Sequence, residues 1–464
     1  MPVAGVFGSE VRLPETAGNR RLAAVAGDLL FTGAVTPHEI ETGKLAKSIE
    51  GMPSELRSVQ TGRYRTDLHQ ERAVAQAWRI YATLAALLEQ NGSSLDLLVR
   101  QRLYLTDARD LPVIERVMDL FLRGSYPATS IVIVPSAGVQ SGLVFQLDGV
   151  ALLAGDHRSG REAIDVSGAG KANDRYPNAV RAGQLVFVSN TVGENPETGR
   201  MAISREEVPS DADWLVQYAL TSSKEEALLA QGWHLFKNIE RVLETQGCGL
   251  ADVLKVNGWA AFPMIEAEPV FTVREHLFPT RDAMPASATV GIEGIAREGA
   301  LMGYDCVAVA PSPGGEGYRK EVRGEVYGLV PMLVPAAQAG PFIFTCGDVA
   351  IDSRRRRVIE SFDDLEGDGR ALPFGRMHAA PTIEAQAHFV YGIHQASLSE
   401  HGASMQQVVH QTVFLRDPSH YEALQTVAAL YYGAQIPPTT VVPVHDTSPW
   451  AGNLLEIEMI AALE

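Results

Sequence analysis

Carboxylates, histidines and cysteines are the groups on this chain that could move protons or attack carbon, and their spacing narrows what they could do. In LLEIEMIAAL, from Leu454 to Leu463, Glu456 and Glu458 are two residues apart, so a strand would place both on one face. A carboxylate partly buried in a cleft has a raised pKa and can act as a general acid or base. The same residue can equally be a strand carboxylate held by backbone N–H groups. His445 precedes Asp446, and seven of the twelve histidines (His378, His388, His394, His401, His410, His420 and His445) fall in the last third of the chain. Their spacing matches neither HExxH nor another metal pattern, so no metal and no cofactor is expected. Cys346 could be a nucleophile, although no partner base can be identified from the sequence. With Cys248 and Cys306 it is read as one of three buried thiols in a reducing cytoplasm.

The elements that would position these groups are set by length and composition. A chain of 464 residues is too long for one ordinary core and suggests about three domains. It is 46% hydrophobic and 20% charged, as a globular protein is. No run approaches 18 apolar residues, and the first residues, MPVAGVFGSEVRLPE, lack the basic start and apolar stretch of a secretory signal. A cytoplasmic protein without membrane partners is expected. The net charge of −17 works against binding polyanions, so a small-molecule substrate is expected and nucleic acid is not.

Internal similarity organises the chain. GDLLFTGAV from Gly27 returns as GQLVFVSNTV from Gly183 and GPFIFTCGDV from Gly340. AQAW around Gln76 becomes AQGW around Gln231 and AQAH around Gln386, each followed by a glycine sixteen residues on (Gly92, Gly247, Gly402). YPATSIVIV, MPASATVGI and IPPTTVVPV form a third series around Pro127, Pro285 and Pro437. The expected units are 1–160, 161–325 and 326–464. In each, an apolar strand follows a turn glycine, and an irregular stretch leads to a long amphipathic helix such as Gln70–Gln90. The glycine after the helix supplies a left-handed C′ residue. A strand, a short second helix and two closing strands complete the order β-β-α-β-α-β-β, an α+β unit with one sheet face under its helices.

These segments resemble the RidA/YjgF family, the reactive-intermediate deaminases, which include members once called L-PSP endoribonucleases. The resemblance rests on the strands with FTG, FVSN and FTCG, on VFL-x-D at Val413–Asp417, on the P-[AP]-x-[ST] strand and on the closing strand from Leu454. It implies a chorismate-mutase-like fold, with three units of one chain standing where the family has a homotrimer. That pseudo-threefold arrangement would have a central β-barrel, outer helices and clefts between units, as a monomer or a dimer of pseudo-trimers.

The family's signature arginine, which grips a substrate carboxylate, falls at Thr129, Ser287 and Thr439, so no unit keeps it. Either the substrate lacks that carboxylate or an arginine arrives from elsewhere, with Arg63, Arg65, Arg354–Arg357 and Arg376 on offer. The glutamate that positions water maps to Glu456, against Gln146 and Gly303. The cleft-lining glycine maps to Gly347, preceded by Cys346; the cleft tyrosine maps to Tyr176; and a polar residue of the second helix maps to Gln425. His445 lies near the expected cleft. The resemblance thus implies a divergent hydrolase or deaminase acting on an imine, enamine or amide C–N bond. Glu456 would orient water in the third unit's cleft, and backbone N–H groups near Gly347 would stabilise developing oxyanion charge. Thr439, Gly347, Cys346, Gln425, Tyr176 and His445 would bind substrate. The alternative is a non-catalytic small-molecule-binding or regulatory protein.

Overall fold

The computed structural model describes residues 16–17, 20–38, 42–59, 68–155, 160–209, 222–312, 317–324, 333–365 and 381–463. The six helices among them are α1 (Leu68–Gln90), α2 (Leu111–Leu122), α3 (Ser223–Glu244), α4 (Glu268–Leu277), α5 (Pro381–Glu400) and α6 (Tyr421–Tyr432). Apolar residues at helical spacing on α1, Ala77, Ile80, Leu84 and Leu88, are buried against α2 and the first sheet. After each long helix the chain turns at Gly92, Gly247 and Gly402, with φ of 77°, 72° and 78°. That left-handed backbone suits glycine, as the sequence predicts.

Three large sheets have one strand order. In the first, Ala128–Ile133, Leu98–Leu105, Phe145–Leu152, Leu29–Thr32 and Ala23–Ala26 lie side by side. In the second the order is Ala286–Gly291, Val253–Ala260, Met302–Val309, Leu185–Val192 and Ala179–Ala182. In the third it is Thr439–Pro443, Val408–Leu415, Leu455–Ala462, Phe342–Thr345 and Ala336–Ala339. The glutamines seen in the sequence tie each long helix to the loop before the closing strand. The Gln76 amide donates to Gly142 O (2.9 Å) and its oxygen accepts from Val144 N (2.7 Å). Gln231 does the same with Gly299 and Leu301, and Gln386 with Gly452 and Leu454.

The central strands Leu98–Leu105, Val253–Ala260 and Val408–Leu415 are buried along their whole length. One face lies under helices, and the other joins an apolar cluster drawn from all three sheets, with Val99, Leu254 and Val409 among its members. Among the described residues none of the sheets closes into a barrel. They meet through short bridges instead: Gly294–Ile295 pairs with the edge at Val132 and Ile133, and Gly291 bridges to Asp446.

Buried charge sits where the sheets converge. Arg102 donates to Asp305 and Asn257, each at 2.6 Å, and faces Glu458 at 3.5 Å. Lys255 pairs with Glu458 at 2.8 Å and Arg100 with Asp148 at 3.0 Å. Trp259 Nε1 and Ser130 Oγ donate to the second Asp305 oxygen. Ion desolvation offsets most of the attraction within such buried pairs. Among the described residues no helix is long and apolar enough to cross a membrane.

Candidate functional site

Glu456 is at the start of the closing strand Leu455–Ala462, opposite Phe414 and Val349 in the ladders. Strand alternation turns its carboxyl to the face where the second sheet approaches. There the Cys346 thiol donates to Ser287 O (2.9 Å) and Gly347 N–H donates to the same carbonyl (2.8 Å). These contacts join the third sheet to Ala286–Gly291 of the second. Gly347 is required: a Cβ there would lie 1.8 Å from Glu456 Oε1 and 2.7 Å from Ala288 Cβ. The carboxyl therefore occupies the space a side chain would take. It is 2% exposed. Burial pushes its pKa well up; Lys255 pulls it down, Glu458 and Asp348 push it up again, and a hydrogen bond from Thr289 N–H lowers it. The carboxyl is a proton donor rather than a ready base.

Glu456, Gly347, Ser287 and Thr289 line a cavity of about 110 Å³, and Arg274 of α4 lines it too. Arg274 is 2% exposed, and its Nη1 donates to Ser287 Oγ at 2.6 Å. It also hydrogen-bonds the Tyr304 hydroxyl, and its guanidinium carbon is 5.5 Å from the Phe271 ring centroid. A cation thus stands beside the position where the resemblance expects an arginine, carried by a helix instead of the strand. Sequence reasoning missed it. The readable signal was a charged residue on an apolar stripe: Val270, Val273 and Arg274 share the buried face of α4. Of the arginines offered from sequence, Arg63, Arg65 and Arg376 lie outside the described residues. Arg354 lines a larger neighbouring cavity of about 600 Å³, Arg355 reaches Asp352 and Asp364 O, and Arg357 pairs with Asp364.

The structure brings together Glu456, Gly347 and Cys346 and sets the other candidates apart. Thr439 is where the first and third sheets meet: it accepts from Gln411 at 2.9 Å, and its carbonyl accepts from Ala34 N at 3.1 Å. Gln146, the counterpart of Glu456 there, donates to Val441 O at 2.6 Å. Gln425 donates to Tyr421 Oη, which Arg20 also reaches. Tyr176 packs against α2 of the first sheet, its hydroxyl donating to Glu115 at 3.1 Å. The position facing Glu456 is therefore Ser287, not Thr439. His445 pairs with Glu293 at 2.9 Å on a half-exposed rim. The Gly347 N–H expected to hold an oxyanion is bonded to Ser287 O. Cys346 is buried, and burial raises its thiol to about 12, so it is no ready nucleophile.

Among the described residues, no group of three or more His, Cys, Asp or Glu side chains could hold a metal ion. Residues 331–463 match the family model described as Endoribonuclease L-PSP. The chain is 27% identical over 125 residues to the RutC family protein YjgH of Escherichia coli K12, covering 27% of this chain and 76% of that protein. RidA from the Antarctic bacterium Psychrobacter sp. PAMC 21119 is 22% identical, covering 31% of this chain and 98% of its own, with a TM-score of 0.24. A chorismatase structure is 13% identical, covering 79% of this chain and 93% of its own, with a TM-score of 0.43. The matched segment, residues 331–463, is of the RidA/YjgF type and carries both Gly347 and Glu456.

Proposed function

We propose that this protein is a divergent RidA-family hydrolase that cleaves the C–N bond of a small anionic metabolite where the second and third sheets meet. The observation that carries this reading is one cavity lined by both a buried carboxyl with a raised pKa, Glu456, and a buried guanidinium, Arg274. Arg274 grips the substrate's carboxylate, with the Ser287 and Thr289 hydroxyls beside it. Protonated Glu456 gives its proton to the imine nitrogen as water adds to the carbon. The resulting carboxylate takes a proton from that water and passes it to the amino nitrogen of the carbinolamine; as the C–N bond breaks and ammonia leaves, the hydroxyl proton returns to Glu456, giving the carbonyl compound and the protonated carboxyl again. One carboxyl, its pKa raised by burial, serves these transfers.

We propose three units, 1–160, 161–325 and 326–464, in a pseudo-threefold arrangement that is cytoplasmic and needs no further subunit for its core. The shared strand order and the apolar cluster drawn from all three sheets support this. It leaves one working cleft, since Gln146 is bonded to backbone and Gly303 has no side chain. A non-catalytic binding protein is the second reading, favoured by the occupied Gly347 N–H.

The test is a mass-spectrometric screen against imines, enamines and cyclic amides, followed by Glu456→Gln. Turnover should fall roughly 10²–10⁴-fold with the fold intact, while Gln146→Ala stays within about threefold of the unmodified protein. Full turnover by Glu456→Gln would refute the assignment.

A further inference from the structure

The cavity of about 110 Å³ adjoins the larger one. Leu333, Gly347, Val349, Ile351 and Trp450 line both it and the cavity of about 600 Å³. The small cavity is a polar head, and the larger is a mainly apolar annex that Asp348, Asp352, Arg354 and Asp364 also line. The annex lies between α5 and the Asp348–Val358 segment, walled by Phe389, Ile393, Leu365 and the His388–Tyr431 pair.

The other sheets show that this space is built. The glutamines that clamp each long helix fix the register, so Trp78, Trp233 and His388 correspond, as do Asn238 and Ile393. Under the second sheet's helix, Asn238 donates to Val192 O (3.1 Å) and Glu194 O (2.9 Å), drawing α3 onto the strand end. At the matching place Ile393 faces Val349 and Ile351, with no amide to close the gap. Under the first sheet, Trp78 and Phe121 pack at 4.8 Å between centroids. In the third, the smaller His388 is hydrogen-bonded to Tyr431 instead, at 2.6 Å. Gly392 adds room on α5: a Cβ there would meet nothing nearer than Tyr431 Oη at 3.9 Å.

We propose that the substrate is an amphipathic anion, its carboxylate at Arg274 and an aliphatic or aromatic tail in the annex. This rests on the reading of Arg274 and Glu456 as the site's polar head, and extends it from a small imino acid to a long one. The annex would otherwise be apolar wall open to water, which burial of a tail removes.

Calorimetric titration with straight-chain carboxylates from butanoate to decanoate, with octanamide as the neutral arm, tests it. Affinity should rise roughly threefold per methylene. Arg274→Gln should weaken every acid at least tenfold while leaving octanamide unmoved. Gly392→Leu, a change that helix propensity favours, and His388→Trp should flatten the chain-length dependence. A flat series in the unmodified protein, or a steep one that both filling variants leave steep, overturns the annex. Octanamide binding as tightly as octanoate, with Arg274→Gln changing neither, keeps the annex and overturns the polar-head reading. Absence of binding by every acid and the amide overturns both.

Discussion

Lowering the pH from 7 to 5 should destabilise this protein for a reason visible in its core. His394, His401 and His410 are 0%, 2% and 3% exposed. His394 Nε2 donates to Ile457 O at 2.9 Å, His401 Nδ1 meets Gln338 Oε1 at 3.0 Å, and His410 Nε2 meets Thr440 Oγ1 at 3.3 Å. Burial drives all three down, His394 to about 3 and His401 and His410 to about 4, so each is neutral when folded. The unfolded chain binds a proton at each below about pH 6.5. A folded pKa below the unfolded one gives stability that is present above the unfolded pKa and lost as pH falls toward the folded one. From pH 7 to 5 each histidine therefore costs about 1.8 kcal/mol, roughly 5 kcal/mol for the three. Glu458, which burial raises but Lys255 and Arg102 hold down at about 2, contributes little in this window because its unfolded pKa is about 4.3. Glu456 works the other way, since its raised pKa favours the folded state as pH falls. Urea unfolding at both pH values, followed by tryptophan fluorescence and far-UV circular dichroism, measures the difference. His401→Asn should shrink the loss by about a third, and Glu456→Gln should enlarge it. A midpoint that does not move between pH 7 and 5, or one that His401→Asn leaves unchanged in its pH response, would refute the reasoning.

Two further outcomes follow from the geometry. Gly347→Ala places a methyl 1.8 Å from Glu456 Oε1, so the carboxyl must move; turnover of whatever substrate the screen finds should fall at least about tenfold, with far-UV circular dichroism unchanged. Arg102→Ala leaves Asp305 and Glu458 facing each other in the core and should cost about 3–5 kcal/mol in urea unfolding, whereas an exposed control such as Arg109→Ala should cost under about 1 kcal/mol.

Much of the fold was legible because short segments recur along the chain at matched spacing. The glutamines at 76, 231 and 386 announced themselves by spacing and prove to clamp helix to loop. The glycines after the long helices were read as left-handed turns and adopt that backbone. The partnership across the site was not legible. A strand's own sequence says which residues share its face, but not which other sheet its carboxyl meets. Glu456 was thus paired in expectation with Thr439 of its own sheet and in the structure faces Ser287 of another. Tyr176 and Gln425 were placed with it for the same reason and lie at the other two meetings of sheets.

Arg274 shows the complementary limit. The family pattern directs attention to a strand position, and there the chain has serine, so the motif reads as lost. A helix residue whose guanidinium reaches that serine has no place in a strand motif, however close the two lie in space. What the sequence did contain was a physical anomaly, a cation at a position where helical periodicity demands an apolar side chain. A buried guanidinium persists where desolvation is offset by hydrogen bonds, here those it donates to Ser287 and Tyr304. A charge on the apolar stripe of a helix that packs beside a cleft is therefore the more general signal. It needs no motif address, and in this chain it marks Arg274, which lines one cavity with Glu456.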